Sequence, residues 1–180
     1  MAKRVLLVRG GSLGRNTGLG AAHHNLVDLL ESGKVDGWQL AGICEYPLEK
    51  TSNPISRIWQ RWFAHPKRVA KEINRLVSNN QCDLVHITDQ EQGHLMPKNC
   101  PVPGIITVHD LFHLFPEHLR FSDEVIAVGD TKPGIVRRRD LQKLKAGINR
   151  ANHLLCNSKH TLEAAEQHFP TVAASRVPLG

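Results

Sequence analysis

The chain predicts an α/β protein with a Rossmann-like parallel sheet and helices on both faces. Short apolar runs recur, Val5–Val8, Gly104–Val108 and His153–Cys156 among them, as expected of strands buried on both faces. Between them lie segments whose apolar residues return at helical spacing, and most connections are short, which favours parallel strands with helical crossovers. A chain of 180 residues can bury one ordinary core. Its hydrophobic content of 41% and mean hydropathy of −0.30 place it among globular chains. No apolar run approaches the roughly 20 residues that cross a bilayer.

Val5-Leu6-Leu7-Val8 opens the first unit as a strand. It feeds a turn with Gly10, Gly11, Gly14, Gly18 and Gly20, followed by a helix with Leu19, Ala22, Leu26, Leu29 and Leu30 on one face. Glycine lets backbone approach a ligand, and a helix N-terminus offers unpaired N–H groups to an anion. Trp38–Cys44 reads as a second strand ending at Tyr46-Pro47. Ile55, Ile58, Trp59, Trp62 and Phe63 then form one helical stripe, with an interruption expected at His65-Pro66. A further helix starts near Pro66, turns Val69, Ile73, Leu76 and Val77 inward, and ends at Asn79-Asn80.

Asp83–Thr88 and Gly104–Val108 predict the third and fourth strands. Residues 110–133 show little periodicity and suggest a long functional loop with short helical pieces. A helix from Gly134 to Ala151 carries Leu141, Leu144, Ile148 and Ala151 inward. His153–Cys156 is the fifth strand, Ser158 a suitable N-cap for a helix Lys159–His168, and Ser175–Gly180 a last strand entering a turn.

The glycine-rich loop does not match the common nucleotide motifs. A P-loop needs lysine after its last glycine, and residues 10–24 contain none. A dinucleotide fingerprint needs a third glycine where His23 stands, and Glu45 lies farther along than its ribose acid should. The four cysteines, Cys44, Cys82, Cys100 and Cys156, show no metal-ligand or disulfide spacing and fit a reduced, cytoplasmic compartment. No triad spacing argues for a metal. Charge is uneven within a net +6. Residues 57–75 hold six lysines and arginines against Glu72 alone, and residues 132–150 hold seven against Asp140 alone. Such clustering points to an anionic partner or to solvated helix faces.

Together, GRNTGLGAAHHNLVDLL, DLVHITDQ, GIITVHDLFHLFPEH, ANHLLCNSKHTLEAAEQHF and RVPLG resemble the N-terminal half of GT-B-fold glycosyltransferases. The resemblance is to the large retaining family 4, with bacterial mannosyl- and glucosyltransferases of lipid and polysaccharide assembly. It spans nearly the whole chain in order, and is weakest in residues 46–66. It implies that residues 1–180 are one N-terminal, acceptor-side domain ending at an interdomain hinge, Val177-Pro178-Leu179-Gly180, with the donor-binding domain absent. The intact enzyme would move a hexosyl group with retention from a nucleotide sugar to an acceptor hydroxyl, and this half would be inactive alone. His109 would contact the donor sugar near the reacting carbon, with Asp110 completing a His-Asp pair. Gly18 and Gly20 would approach the donor diphosphate, and Asn16 and Asp89 are candidate walls of an acceptor cleft. Independently, open α/β sheets place ligands at strand C-terminal ends, which Gly18, Asp89 and His109 all follow. No cofactor or metal is expected beyond the donor itself.

The expected partners are a sugar or lipid-linked acceptor, the second domain, and an anionic membrane surface met by Arg57, Trp59, Arg61 and Trp62. Packing of that aromatic stripe on the sheet is the competing expectation. His23 and His24, adjacent on a helix, carry no functional assignment. The non-enzyme alternative is an α/β domain binding nucleic acid or another polyanion, but no nucleic-acid motif supports it.

Overall fold

A computed structural model describes residues 2–46, 53–121 and 124–178. Six strands, β1 (Lys3–Gly11), β2 (Trp38–Tyr46), β3 (Leu84–Ile87), β4 (Gly104–Val108), β7 (His153–Cys156) and β8 (Ala173–Arg176), form one sheet in the order β2-β1-β3-β4-β7-β8. Every pairing in it is parallel. Five helices, α1 (Gly18–Glu31), α2 (Pro54–Trp59), α3 (His65–Ser78), α4 (Ile135–Ile148) and α5 (Lys159–His168), supply the layers. The Rossmann-like α/β architecture is as the sequence predicts.

Alternation along β1 divides the interior. Val5 and Leu7 face α1, where they meet Val27 and Leu30 in a small core. Leu6 and Val8 face the other way into a larger core with Val69 and Ile73 of α3, Leu144 and Ile148 of α4, and Ala165 of α5. Burying these aliphatic side chains contributes roughly 1.5–3 kcal/mol each. The chain order reverses at β1, with β2 on one side and β3 on the other, so the crevice between the C-terminal ends of β1 and β3 is the topological switch point.

Several local expectations change. β1 runs on through Gly10 and pairs Gly11 with Tyr46, so the glycine-rich connection is only residues 12–17. The interruption expected at His65-Pro66 is absent. A π-helical turn, Gln60–Ala64, joins α2 to α3, and Pro66 falls in the first turn of α3. The widened turn takes up proline's missing N–H without breaking the run. Residues 110–133 contain an antiparallel hairpin of β5 (Glu117–Phe121) and β6 (Glu124–Val128) in place of helical pieces. A 3-10 helix, Gln90–Leu95, follows β3. The last strand begins earlier than expected, at Ala173. Pro47 and the hinge residues Leu179 and Gly180 lie outside the described residues.

Candidate active site

The loop after β1, the loop after β3 and the end of β4 converge at the switch point. Thr17 caps α1, accepting a hydrogen bond from the Gly20 amide at 3.1 Å while its hydroxyl donates to the Gly14 carbonyl at 3.2 Å. The loop is also tied back to its helix. Arg15 makes two bonds to Asp28, at 2.6 and 2.9 Å, and His24 Nε2 lies 2.9 Å from the Leu13 carbonyl.

The two glycines assigned to ligand approach differ. A Cβ on Gly20 would sit 2.0 Å from the Gly14 carbonyl oxygen and 2.6 Å from the Thr17 hydroxyl. Gly20 is buried and faces the loop, so closing that loop already requires a glycine there. A Cβ on Gly18 would meet nothing within 4 Å, and Gly18 is exposed at the first turn of α1. Asn16 is exposed on the same loop.

Asp89 does not line an open cleft. It is buried, caps the 3-10 helix by accepting from the Glu91 amide at 2.8 Å, and lies 4.0 Å from the Arg9 guanidinium. Burial raises its carboxyl pKa, outweighing the Glu91 amide and Arg9. Arg9 is itself buried, and its Nε has no hydrogen-bond partner. Burial lowers its pKa, although Asp89 and Glu45 oppose this.

His109, directly after β4, is held at three points. Its amide donates to Gln90 Oε1 at 2.9 Å, its carbonyl accepts from the Thr161 hydroxyl at 3.2 Å, and its Nε2 lies 3.3 Å from the Thr88 carbonyl. A carbonyl only accepts, so Nε2 carries the proton and Nδ1 is the basic nitrogen. Among the described hydrogen bonds Nδ1 has no partner. Asp110 Oδ1 accepts from the Phe112 amide at 3.3 Å and so shapes the turn that follows.

Two further histidines belong to this neighbourhood. His23 is buried with Nδ1 3.2 Å from the Thr88 hydroxyl, so Thr88 contacts His23 through its side chain and His109 through its backbone. His86 Nε2 lies 2.7 Å from the Thr107 hydroxyl. Burial first, then neighbouring positive charge, lowers both pKa values to about 4. Both rings are therefore neutral near pH 7. His23, Thr88 and Gln90 carried no assignment from the sequence, since only the adjacency of β1, β3 and β4 brings them to His109. The spacing of His23, five residues beyond Gly18 and one turn into α1, was the available signal.

Of the four residues assigned to membrane contact, Arg57 and Trp59 are exposed. Arg61 and Trp62 turn inward. Arg61 makes two bonds to Asp140, at 2.8 and 3.0 Å, and the Trp62 indole donates to the same carboxylate at 2.9 Å. Arg137 reaches Asp140 at 2.9 Å and Glu91 at 3.1 Å, tying α4 to the 3-10 helix after β3. Burial raises the Asp140 pKa, but these hydrogen bonds and charges outweigh it and hold the carboxyl below its ordinary value. No three metal-ligating side chains converge among the described residues. None of their helices is long and apolar enough to cross a membrane.

No protein-family model and no curated protein matches the chain. Solved structures do. It is similar to a UDP-glucosyltransferase from Polygonum tinctorium capable of glucosylating indoxyl, with 14% identity, TM-score 0.54, and coverage of 100% of this chain and 52% of the other. Phytolacca americana UGT2, complexed with UDP-2fluoro-glucose and pterostilbene, matches at 11% identity and TM-score 0.60, over 99% and 54%. A UGT transferase from Siraitia grosvenorii in complex with UDP matches at 14% identity and TM-score 0.56, over 98% and 48%. The chain thus spans about half the length of the structures it matches, and its fold is that of one half of a GT-B glycosyltransferase.

Proposed function

We propose that this chain is the N-terminal, acceptor-side half of a nucleotide-sugar-dependent glycosyltransferase, resembling family 4. On this reading a second domain following the hinge at Val177-Pro178 holds most of the donor. The enzyme transfers a hexosyl group with retention to an acceptor hydroxyl. The observation that carries the proposal is the placement of His109 at the end of β4, fixed through its amide, carbonyl and ring, in a chain matched end to end by GT-B enzymes. With Nε2 committed to the Thr88 carbonyl, Nδ1 accepts a hydrogen bond from a donor-sugar hydroxyl. His109 thereby orients the sugar and steadies the charge that develops as the bond to the diphosphate loosens. Gly18 and the α1 N-terminus face the diphosphate. His23 and Thr88 hold the floor beneath His109.

The partners on this reading are a sugar or lipid-linked acceptor, the second domain and an anionic membrane surface, in a cytoplasmic setting. No cofactor or nucleic acid enters it. In an assay with nucleotide-hexose donors, the 180-residue chain alone should show negligible transfer. When it is joined to its second domain, His109→Ala should lower kcat about a hundredfold or more without moving the thermal midpoint. Robust turnover by the isolated chain would refute the half-enzyme reading. Salt-sensitive binding to DNA or RNA without sugar transfer would favour a polyanion-binding domain.

A further inference from the structure

The six-residue 3-10 helix after β3 is too short, and its hydrogen bonds too poorly aligned, to fix its own place. It is held from two sides, by α4 and by the π turn that joins α2 to α3. Asp140 of α4 is gripped by Arg61 and Trp62, so the run from α2 to α3 lies alongside α4 with a furrow between them. Lys98, Arg139, Lys143 and Arg150 stand on the rim of that furrow, and Asp140 lies on its floor. Gly147 of α4 comes so close to the 3-10 helix that a Cβ there would strike the Gly93 carbonyl. Arg137 of α4 reaches the Glu91 carboxylate with bonds of 3.1 and 3.2 Å.

Arg61 is the member that grips the 3-10 helix itself. Its Nη2 donates to the Glu91 carbonyl at 2.8 Å and its Nη1 to Gln92 Oε1 at 3.3 Å. Its own carbonyl stands 3.1 Å from His94 Nε2. One arginine thus touches Glu91, Gln92 and His94, and Asp140 holds its guanidinium with bonds of 2.8 and 3.0 Å. The π turn supplies the aim. Such widened turns are rare and recur at functional positions, and this one brings two consecutive side chains, Arg61 and Trp62, onto one carboxylate. At its other end the same 3-10 helix meets the candidate site. Asp89 caps it, and its first residue, Gln90, is buried and accepts the His109 amide at 2.9 Å.

We propose that Arg61 is a positioning residue for His109, acting through the 3-10 helix and Gln90. With the helix clamped, Gln90 Oε1 stays against the His109 amide and the imidazole keeps Nε2 on the Thr88 carbonyl. Without Arg61 the helix shifts against α4, and Gln90 withdraws from His109. Arg137 holds only the Glu91 side chain, so its loss matters less. Lysine cannot take the place of Arg61. A single ammonium does not meet a carboxylate, a carbonyl and an amide oxygen at the fixed spacing of a guanidinium. The consequence for catalysis rests on the reading of His109 as the group that orients the sugar; the consequence for the His109 amide does not.

The test is amide hydrogen exchange at His109, followed by NMR in the 180-residue chain, with circular dichroism to check that each variant is folded. In Arg61→Met the His109 amide should exchange about fivefold faster or more, as it should in Gln90→Met. Arg61→Lys should behave like Arg61→Met, and it keeps the charge beside Asp140, so a folded variant is at hand if Arg61→Met unfolds. Trp62→Phe removes one Asp140 bond without touching the 3-10 helix, and should leave His109 exchange within about twofold. In the chain joined to the proposed donor-binding domain, Arg61→Met should lower kcat about fivefold or more with a smaller change in donor KM. Adding Gln90→Met should lower it little further, because the two residues act in series. Three results would overturn the proposal. One is unchanged His109 exchange in both Arg61 variants. A second is equal acceleration in Trp62→Phe, which would make Arg61 a stabilising residue only. The third is simple addition of the Arg61→Met and Gln90→Met effects. If His109→Ala itself keeps full kcat, the reading of the site fails, while the exchange result still decides the positioning.

Discussion

The strand ends and the α3–α4 furrow are both rich in ionisable groups, yet they treat charge in opposite ways. At the strand ends charge is dehydrated. His23 and His86 are kept neutral by burial, Asp89 is pushed toward its protonated form, and Arg9 sits with its Nε unpartnered. At the furrow charge is paired within and open without, apart from His94, which burial keeps neutral as at the strand ends. Asp140 is satisfied by two arginines and an indole, while the cations on the rim face outward. A dry site with neutral imidazoles orients a polar substrate through hydrogen bonds. A rim of exposed cations keeps its charge hydrated and open to solution. Burial, not residue type, separates the two.

The largest expected effect breaks the furrow. Asp140→Asn leaves Arg61 and Arg137 without their shared counter-ion, and should cost about 3 kcal/mol in urea unfolding. The folded pKa of Asp140 is depressed, so its contribution is full above the ordinary aspartate range and is lost as pH falls below it. Acidification should act first through the buried histidines, His23 and His86 at the strand ends and His94 beside the furrow. His86 is depressed from 6.5 to about 4, so the unfolded chain binds the proton first. Stability should decline below pH 6.5, His86 alone contributing a loss on the order of 3 kcal/mol that is complete near pH 4. A His86→Gln variant should reduce that slope between pH 6.5 and 4, with His23 and His94 supplying what remains. An unchanged slope would mean that His86 does not remain neutral in the folded protein.

A smaller effect separates two glycines within the opening loop. Gly20→Ala forces a methyl group against the Gly14 carbonyl and should cost about 2 kcal/mol. Gly18→Ala meets open space and should stabilise the domain by about 0.5 kcal/mol. If Gly18 borders the donor, the same change raises KM for donor in the two-domain enzyme.

Local pattern carried most of the fold into view. The parallel strands announce themselves as apolar runs, and Ser158 marks the start of α5 through its bond from the Thr161 amide at 3.1 Å. The β5–β6 hairpin was hidden for a physical reason. It joins no strand of the main sheet, and Val125 and Ile126, neighbours on opposite faces of β6, are both exposed, so β6 shows no inside-outside alternation. The π turn was equally silent, because a widened turn preserves the apolar stripe while removing the break that Pro66 would otherwise cause. At the candidate site, His109 was visible from its position after a strand. Its supports were not. Thr88 and Gln90 follow β3, Thr161 is in α5 and His23 in α1, three segments that only the sheet order brings together. Similarly, the sequence left Arg61 and Trp62 between membrane contact and inward packing, and Asp140, distant in sequence, is what holds them inward.

The most direct test of the central claim is hexosyl transfer from nucleotide-sugar donors, measured for the 180-residue chain alone, for the chain joined to the proposed donor-binding domain, and for the His109→Ala form of that joined protein. The account predicts negligible transfer by the chain alone, restoration on completion, and loss of kcat by about two orders of magnitude or more in the variant at unchanged thermal stability. Equal kcat with and without the His109 imidazole, or full turnover by the chain alone, would contradict it.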